Sequence, residues 1–278
     1  MHWSGKPRVP NRYPWCNRNT PCRPYAPAKA NPPNEGSTAV LMLPILMYHK
    51  VDLVPPQAGY LGNYVLPEQF ENQLTALSRW GYTPIALEDW LDFRGGLRKP
   101  PRRPIALTFD DGYRSTHDIA WPVLRRHDAT ATVFLVTDLI GKTNLWDTSE
   151  LQEPLLSATE IAAMHARGIH FGSHTCTHRS LTGMYAAEAL VELTRSRAAL
   201  GTLLGRPVVT LAYPYNNNNY KVRRLARQAG YKAAVLGRGR INARWTSPWA
   251  LRRIKIDTQM TVDALDRLLT RLRWWAGF

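Results

Sequence analysis

Long apolar runs are missing from this chain. The longest, Ala39 to Tyr48, contains Pro44 and reaches barely half of the ~20 residues that a membrane-spanning helix needs. The first thirty residues carry Trp3, Pro7, Pro10, Pro14 and scattered arginines without an apolar h-region, so the sequence as given is not expected to open with a signal peptide. Cysteine is scarce: Cys16, Cys22 and Cys176 are the only three. The first two would close a small loop in an exported protein, but two thiols in a tail do not identify a compartment. No long internal repeat is present, which excludes a solenoid. Acidic residues thin out toward the C-terminus. Positions 221–278 hold 14 Lys and Arg against 3 Asp and Glu, an excess of 11 within a total of +15. Such a balance implies either a soluble basic surface or docking to something anionic: an acidic polymer, a phospholipid surface or nucleic acid.

The 278 residues are 44% hydrophobic, enough for one large α/β domain. Residues 1–38 are rich in Pro, Arg, Asn and Lys and show no periodicity, so a disordered basic tail is expected there, with a single domain over 39–278. From Leu43 onward short apolar runs alternate with helical patterns. Strands are expected at Leu43–Tyr48, Ile105–Phe109, Ala131–Val136, Ile169–Gly172, Val208–Ala212, Ala233–Leu236 and Leu251–Ile256. Between them the spacing predicts helices over 67–80, on to Leu124 after the second strand, from the Ser157-to-Glu160 capping box to about Arg167, and over 185–204, 222–229 and 261–272. That alternation implies a mainly parallel sheet, closed as a barrel or doubly wound. In both, functional residues gather at the C-terminal ends of strands, where the polar clusters of this chain fall.

Thr108-Phe109-Asp110-Asp111-Gly112 is the first such cluster. Two adjacent carboxylates cannot both be core residues, because an unpaired buried charge is very costly. One can face a metal ion while the other faces substrate; the alternative is a plain turn in which Asp111 caps a helix. Ser173-His174-Thr175-Cys176-Thr177-His178 is the second. Two histidines four apart at a strand end can converge on one ion, and Cys176 between them either joins the ligands or, the favoured reading, is a small filler pointing away. Adding Asp111 makes a set of three ligands with open positions, the pattern of a catalytic rather than a structural zinc site, and a mixed O/N set also admits cobalt, nickel or iron. Ala212-Tyr213-Pro214-Tyr215 offers aromatic walls for a sugar ring and a backbone N–H for a developing oxyanion. In Met47-Tyr48-His49-Lys50 a lone histidine ends the first apolar strand, where a hydrogen-bonded core residue is the ordinary reading.

Together, in this order and spacing, the Thr-Phe-Asp-Asp-Gly and Ser-His-Thr-x-x-His runs resemble the NodB-homology polysaccharide deacetylases. The Met-Tyr-His and Ala-Tyr-Pro-Tyr segments are most similar to the subgroup that deacetylates the poly-β-1,6-N-acetylglucosamine of biofilms. The resemblance covers about Met42 to Ile256. It implies a distorted (β/α) barrel of the NodB-homology type with a circularly permuted motif order, acting on an amino-sugar polysaccharide. It implies Asp110 as catalytic base, and Asp111, His174 and His178 as ligands of one divalent ion, zinc first and cobalt or nickel next. His49 becomes the general acid, and Tyr215 with Pro214 the oxyanion and substrate segment. The family setting would be the periplasm or cell surface, with the basic C-terminal region available to an anionic envelope. No nucleic-acid reader motif appears. Two departures stand out. Asn216 occupies the usual glycine position after the second tyrosine, where Asn is the next best residue for a left-handed backbone. Ala212-Tyr213 also lacks the arginine that many relatives use to orient the base, leaving Arg253 or Arg252 to substitute.

Overall fold

The computed structural model of the chain describes residues 42–237, 239 and 241–274. The expected tail, with Cys16 and Cys22, lies outside the described residues. Seven strands close into a ring: β1 (Ile45–Tyr48), β2 (Pro104–Phe109), β3 (Thr132–Leu135), β4 (His170–Ser173), β5 (Thr210–Ala212), β6 (Ala233–Gly237) and β7 (Leu251–Lys255). Every neighbouring pair is parallel. β2 through β7 follow one another in chain order, and β1 closes the ring between β7 and β2. An all-parallel ring sends every C-terminal strand end to the same mouth, so residues far apart in sequence emerge together there.

Side-chain parity sorts the core into two layers. Ile45, Ala106, Phe134, Ala212, Val235 and Leu251 fill the interior, joined by Leu87, Trp90 and Phe93 of the helix Leu87–Gly95. Leu46, Tyr48, Leu107, Phe109, Val133, Leu135 and Ile254 face outward into the layer beneath the helices. Gly172 is required by this interior: a Cβ there would lie 2.5 Å from the Phe134 ring and 2.6 Å from Thr210 Oγ1. Among the described residues seven α-helices accompany the ring: α1 (Pro67–Arg79), α2 (Leu87–Gly95), α3 (Trp121–Arg126), α4 (Ala158–His165), α5 (Ala186–Leu204), α6 (Tyr220–Gln228) and α7 (Val262–Trp274). The capping box opens α4 as expected, with Ser157 and Glu160 satisfying each other's backbone N–H.

The differences from expectation have local causes. The first strand is split at Pro44, and its short leading piece Met42–Leu43 pairs instead with Asn242–Ala243. The helix expected up to Leu124 begins with a wide π turn over Thr116–Ala120, because Pro122 has no N–H to offer a regular turn. The helix after the capping box ends at His165 rather than near Arg167. Strand Thr83–Ile85, which pairs with the start of β2, and helix α2 behind it have no counterpart in the expected elements.

Candidate active site

Asp110 follows β2 directly, and its N–H continues the ladder by donating to Tyr48 O at 3.0 Å. The parity that turns Phe109 outward turns Asp110 and Thr108 inward. From the far side of β1, two strands away, β7 contributes Arg253, fully buried and also on the inward parity. Its guanidinium grips the carboxylate with both forks: Nη1 to Oδ1 and Nη2 to Oδ2, each at 2.6 Å. Nη1 also donates to Thr108 Oγ1 at 3.3 Å. Of the two arginines considered for orienting the base, this geometry selects Arg253; Arg252 donates its backbone N–H to Asn242 instead. Burial alone would raise the Asp110 carboxyl, but Arg253, with His174 and His49, brings it below the ordinary carboxylate range. Asp110 is therefore ionised and aimed by a fixed planar clamp.

Asp111 takes a left-handed backbone, φ 71°, which swings its side chain away from that of its neighbour. Its Oδ1 lies 3.3 Å from Nε2 of His174 and 3.3 Å from Nε2 of His178. His174 Nδ1 lies 2.8 Å from Ala212 O and can only donate there, so in the neutral ring Nε2 carries its lone pair toward Asp111. A lone pair facing a carboxylate oxygen at that distance calls for a cation between them, either a proton or a metal ion. Asp111, His174 and His178, with donor atoms within 4.8 Å of one another, are the residues here that could hold a metal ion. Despite burial, the facing His174 and His178 rings hold the Asp111 carboxyl well below its ordinary range. A second acidic group, His117, Asp118 and Glu160, is partly exposed, and Arg114 already supplies its positive charge at 2.9 Å from Glu160 and 3.6 Å from Asp118.

The histidine segment is built to hold an unfavourable shape. Thr175 and His178 are both left-handed, at φ 69° and φ 64°, each costing roughly 1–2 kcal/mol for a residue with a Cβ. Glu192 of α5 offsets this. One of its oxygens accepts from the N–H groups of Cys176 (2.9 Å) and Thr177 (3.0 Å), the other from Thr177 Oγ1 (2.9 Å). One turn later Ser196 meets Ser173 Oγ at 2.7 Å, and Ser173 Oγ accepts from the Thr175 N–H. Cys176 is buried against this clamp, its thiol pushed up to about 11 by burial, and it is not among the converging donors.

The remaining expected residues are placed as follows. Pro214 is buried and Tyr215 is 55% exposed, its ring edge-on to His178 with centroids 4.7 Å apart. Tyr215 and Asn216 are both left-handed, φ 56° and 58°, so the turn survives the missing glycine. The Asn216 side chain secures it by accepting the Gly237 N–H. His49 sits one residue beyond β1, within the electrostatic reach of Asp111, Asp110, Arg253 and Lys255, and its Nδ1 is buried without a partner among the described residues. Burial lowers its basicity more than the two carboxylates raise it, leaving it below the ordinary histidine range.

Three groups escaped the sequence reading. Trp146 stacks on the face of His178 at 4.5 Å, opposite in role to Tyr215, and with Arg179, Met184 and Tyr215 it walls a cavity of about 350 Å³ beside the histidines. No periodicity marks its loop. Glu192 had a visible signal, an acid on the apolar stripe of α5 between Ala189 and Leu193. Lys50 lies over the rings of Tyr64 (4.4 Å) and Tyr113 (4.5 Å) and pairs with Glu153, tying the strand that bears His49 to the loop that bears Trp146.

Comparison with known proteins agrees with this architecture. The Streptococcus pyogenes deacetylase PplD, solved with acetate, superposes with a TM-score of 0.73 at 25% identity over 83% of this chain and 99% of its own. IcaB from Ammonifex degensii shares the fold, with a TM-score of 0.69 at 20% identity over 81% of this chain and 96% of its own. The poly-β-1,6-N-acetyl-D-glucosamine N-deacetylase of Staphylococcus aureus is 25% identical over 84% of this chain and 82% of its length. Residues 97–234 match the polysaccharide deacetylase family. The chain carries a polysaccharide deacetylase domain on a NodB-type (β/α) barrel.

Proposed function

We propose that this domain is a metal-dependent hydrolase that removes N-acetyl groups from N-acetylglucosamine units of a polysaccharide. The observation that carries the reading is the juxtaposition of an arginine-clamped, ionised Asp110 with the converging Asp111, His174 and His178. A divalent ion held by those three would activate water and polarise the acetyl oxygen, zinc suiting the donors best and cobalt or nickel also fitting. Asp110 takes the proton from the attacking water; the Arg253 fork keeps the carboxylate from rotating away. The Tyr215 backbone N–H helps to hold the oxyanion, and the Trp146 and Tyr215 rings offer flat faces to the sugar. His49 gives a proton to the departing nitrogen as the C–N bond breaks, leaving acetate and an amine. The poly-β-1,6-N-acetylglucosamine of a biofilm matrix is the polymer suggested by the Staphylococcus aureus relative, with peptidoglycan and lipid-linked glycans as alternatives. Acetate release from a panel of defined N-acetylglucosamine oligomers tests the reading: release should stop on chelation and return with zinc. Undiminished release from chelated, metal-free protein would overturn it.

For His49, the expected result of His49→Ala is a loss of turnover of about 10²–10⁴-fold, the usual worth of a general acid, with metal content unchanged. An acid must be protonated, and burial holds this ring below the ordinary histidine range. The alkaline decline of kcat/KM should therefore begin below the usual histidine value and vanish in the variant. Near-wild-type turnover in folded, metal-loaded His49→Ala protein would remove it from the reaction.

Glu192→Leu tests the clamp. The apolar side chain offers no acceptor, so the N–H groups of Cys176 and Thr177 lose their partner. Metal affinity should fall by ~10–100-fold, as when ligand-orienting groups are lost. Unchanged affinity by competitive chelator titration would reduce Glu192 to a packing residue.

A further inference from the structure

The stretch from the middle of α5 to the end of β7, which lends Tyr215 to the cavity, is strongly cationic. Between Leu193 and Ile256 the sequence holds 14 Lys and Arg and not one Asp or Glu. Among the described residues of that stretch, Arg195, Arg206 and Arg253 have acidic partners, all supplied from elsewhere in the chain. On helix α6 none of this charge meets an acidic partner among the described residues; Lys221 and Arg223 donate instead to the Met184 carbonyl and to Asn218 Oδ1. The helix buries Val222, Leu225 and Ala226 and turns Lys221, Arg224 and Arg227 to solvent. Lys221 with Arg224, and Arg224 with Arg227, are three apart; Arg223 with Arg227 are four apart. Like charges at those spacings repel across the helix surface. Lys221 and Arg223 also sit in the first turn, which contains no acid, against the positive end of the helix dipole. The pattern is unfavourable for the isolated helix, and an anion bound along this face would offset it.

That helix begins at the rim of the cavity. Lys221 Nζ donates to the carbonyl of Met184, a cavity-lining residue, at 3.1 Å, and Asn217 in the preceding turn donates to Ser180 Oγ at 3.2 Å. Exposed rings stand among these cations: Tyr215 at 55%, Tyr185 at 80% and Tyr220 at 83%. Rings present flat faces to pyranose units, and guanidinium and ammonium groups pair with carboxylates or phosphates between them.

We propose that the substrate is an anionic amino-sugar polymer, one whose N-acetylated units are interspersed with acidic groups, and that it leaves the cavity along the outer face of α6. The proposal rests on the deacetylase reading and replaces the neutral poly-β-1,6-N-acetylglucosamine suggested there with an acidic polymer. A neutral N-acetylglucosamine homopolymer gains an ammonium group at each deacetylation and would be driven off this surface. An acidic polymer retains its negative charge and stays bound. Continuity with the cavity and the interleaved tyrosines favour a glycan over a lipid surface, since α6 keeps its aliphatic residues Val222, Leu225 and Ala226 inward.

The test compares hyaluronan oligosaccharides, which alternate N-acetylglucosamine with glucuronate, with chitin oligosaccharides carrying the same number of acetyl groups. Equilibrium binding to the metal-loaded full chain is read first. Hyaluronan should bind at least about tenfold tighter at low salt, an advantage removed by added salt, as expected of screened surface charge. Arg224→Gln/Arg227→Gln, two exposed positions remote from the reacting groups, should abolish the preference and leave chitin binding unchanged; Arg224→Glu/Arg227→Glu should reverse it. Equal binding of the two oligomers by the wild type, or equal weakening of both by the double variant, overturns the proposal. So does tighter, equally α6-dependent binding to phosphatidylglycerol vesicles or duplex DNA. Acetate release is read separately. Salt-sensitive hyaluronan binding with no acetate from any oligomer would sink the deacetylase reading while leaving the anionic surface standing.

Discussion

Replacing either His174 or His178 with alanine is expected to abolish both metal binding and acetate release. In the proposed site each is one of three converging donors among the described residues, and both face the same Asp111 oxygen at 3.3 Å. The loss should exceed the ~10–100-fold penalty associated with second-sphere partners, because here a ligand itself disappears. The two variants should differ in a secondary respect. His174 is tied to Ala212 O through Nδ1, so His174→Ala also releases β5 from the end of β4. His178 Nδ1 has no partner among the described residues, and the ring is held between Trp146 and Tyr215. His178→Ala should therefore keep its melting temperature and empty the metal site, with Trp146 fluorescence shifting as the stacked ring leaves. Metal content by mass spectrometry decides the matter: full occupancy in either single variant removes that histidine from the ligand set.

How much of this was legible beforehand follows from how far each signal reaches along the chain. Motifs at strand ends are local. An apolar run ending in Asp110-Asp111-Gly112, or in Ser173 and His174, announces both the strand and the polar mouth beyond it. The ring closure is not local, since β1 sits between β2 and β7 and only the register of Tyr48 with Phe109 and of Ile254 with Leu46 reveals it. Arg253 shows the same limit at the level of one side chain. Its place in a strand of alternating parity announces an inward-facing charge, but its partner lies 143 residues earlier. Trp146 left no trace, because its loop has neither a helical nor a strand period and is positioned by long-range contacts, through Glu153 to Lys50 and through stacking on His178. Thr83–Ile85 was obscured by Pro84, which reads as a breaker; it is tolerated because the strand lies outside the closed ring, paired with the start of β2.

Asp110→Asn separates the base from the metal. The amide keeps the shape of the carboxylate and loses its proton affinity, so turnover should fall toward the ~10⁴-fold limit of general-base catalysis while metal content stays full. The same change leaves the fully buried Arg253 without its anion, and breaking such a pair from one side typically costs ~3–5 kcal/mol. A drop in stability is therefore expected alongside the loss of rate, and the two must be told apart. Arg253→Met in the Asp110→Asn background removes the orphaned charge and keeps the volume; it should recover most of the stability and none of the rate. The pH dependence supplies a second check. The Asp110 carboxyl is held below its ordinary range in the folded protein, chiefly by Arg253 against the effect of burial. A depressed carboxylate contributes stability that is complete above its unfolded value, ~4, and is lost as pH falls through the lower folded one. Wild-type protein should therefore show a stability decline below pH ~4 that is reduced in the double variant. If Asp110→Asn emptied the metal site as thoroughly as Asp111→Ala, the roles of the two carboxylates would be reversed. If the stabilised double variant regained turnover, Asp110 would be a structural partner of Arg253, and the proton would have to leave the water by another group.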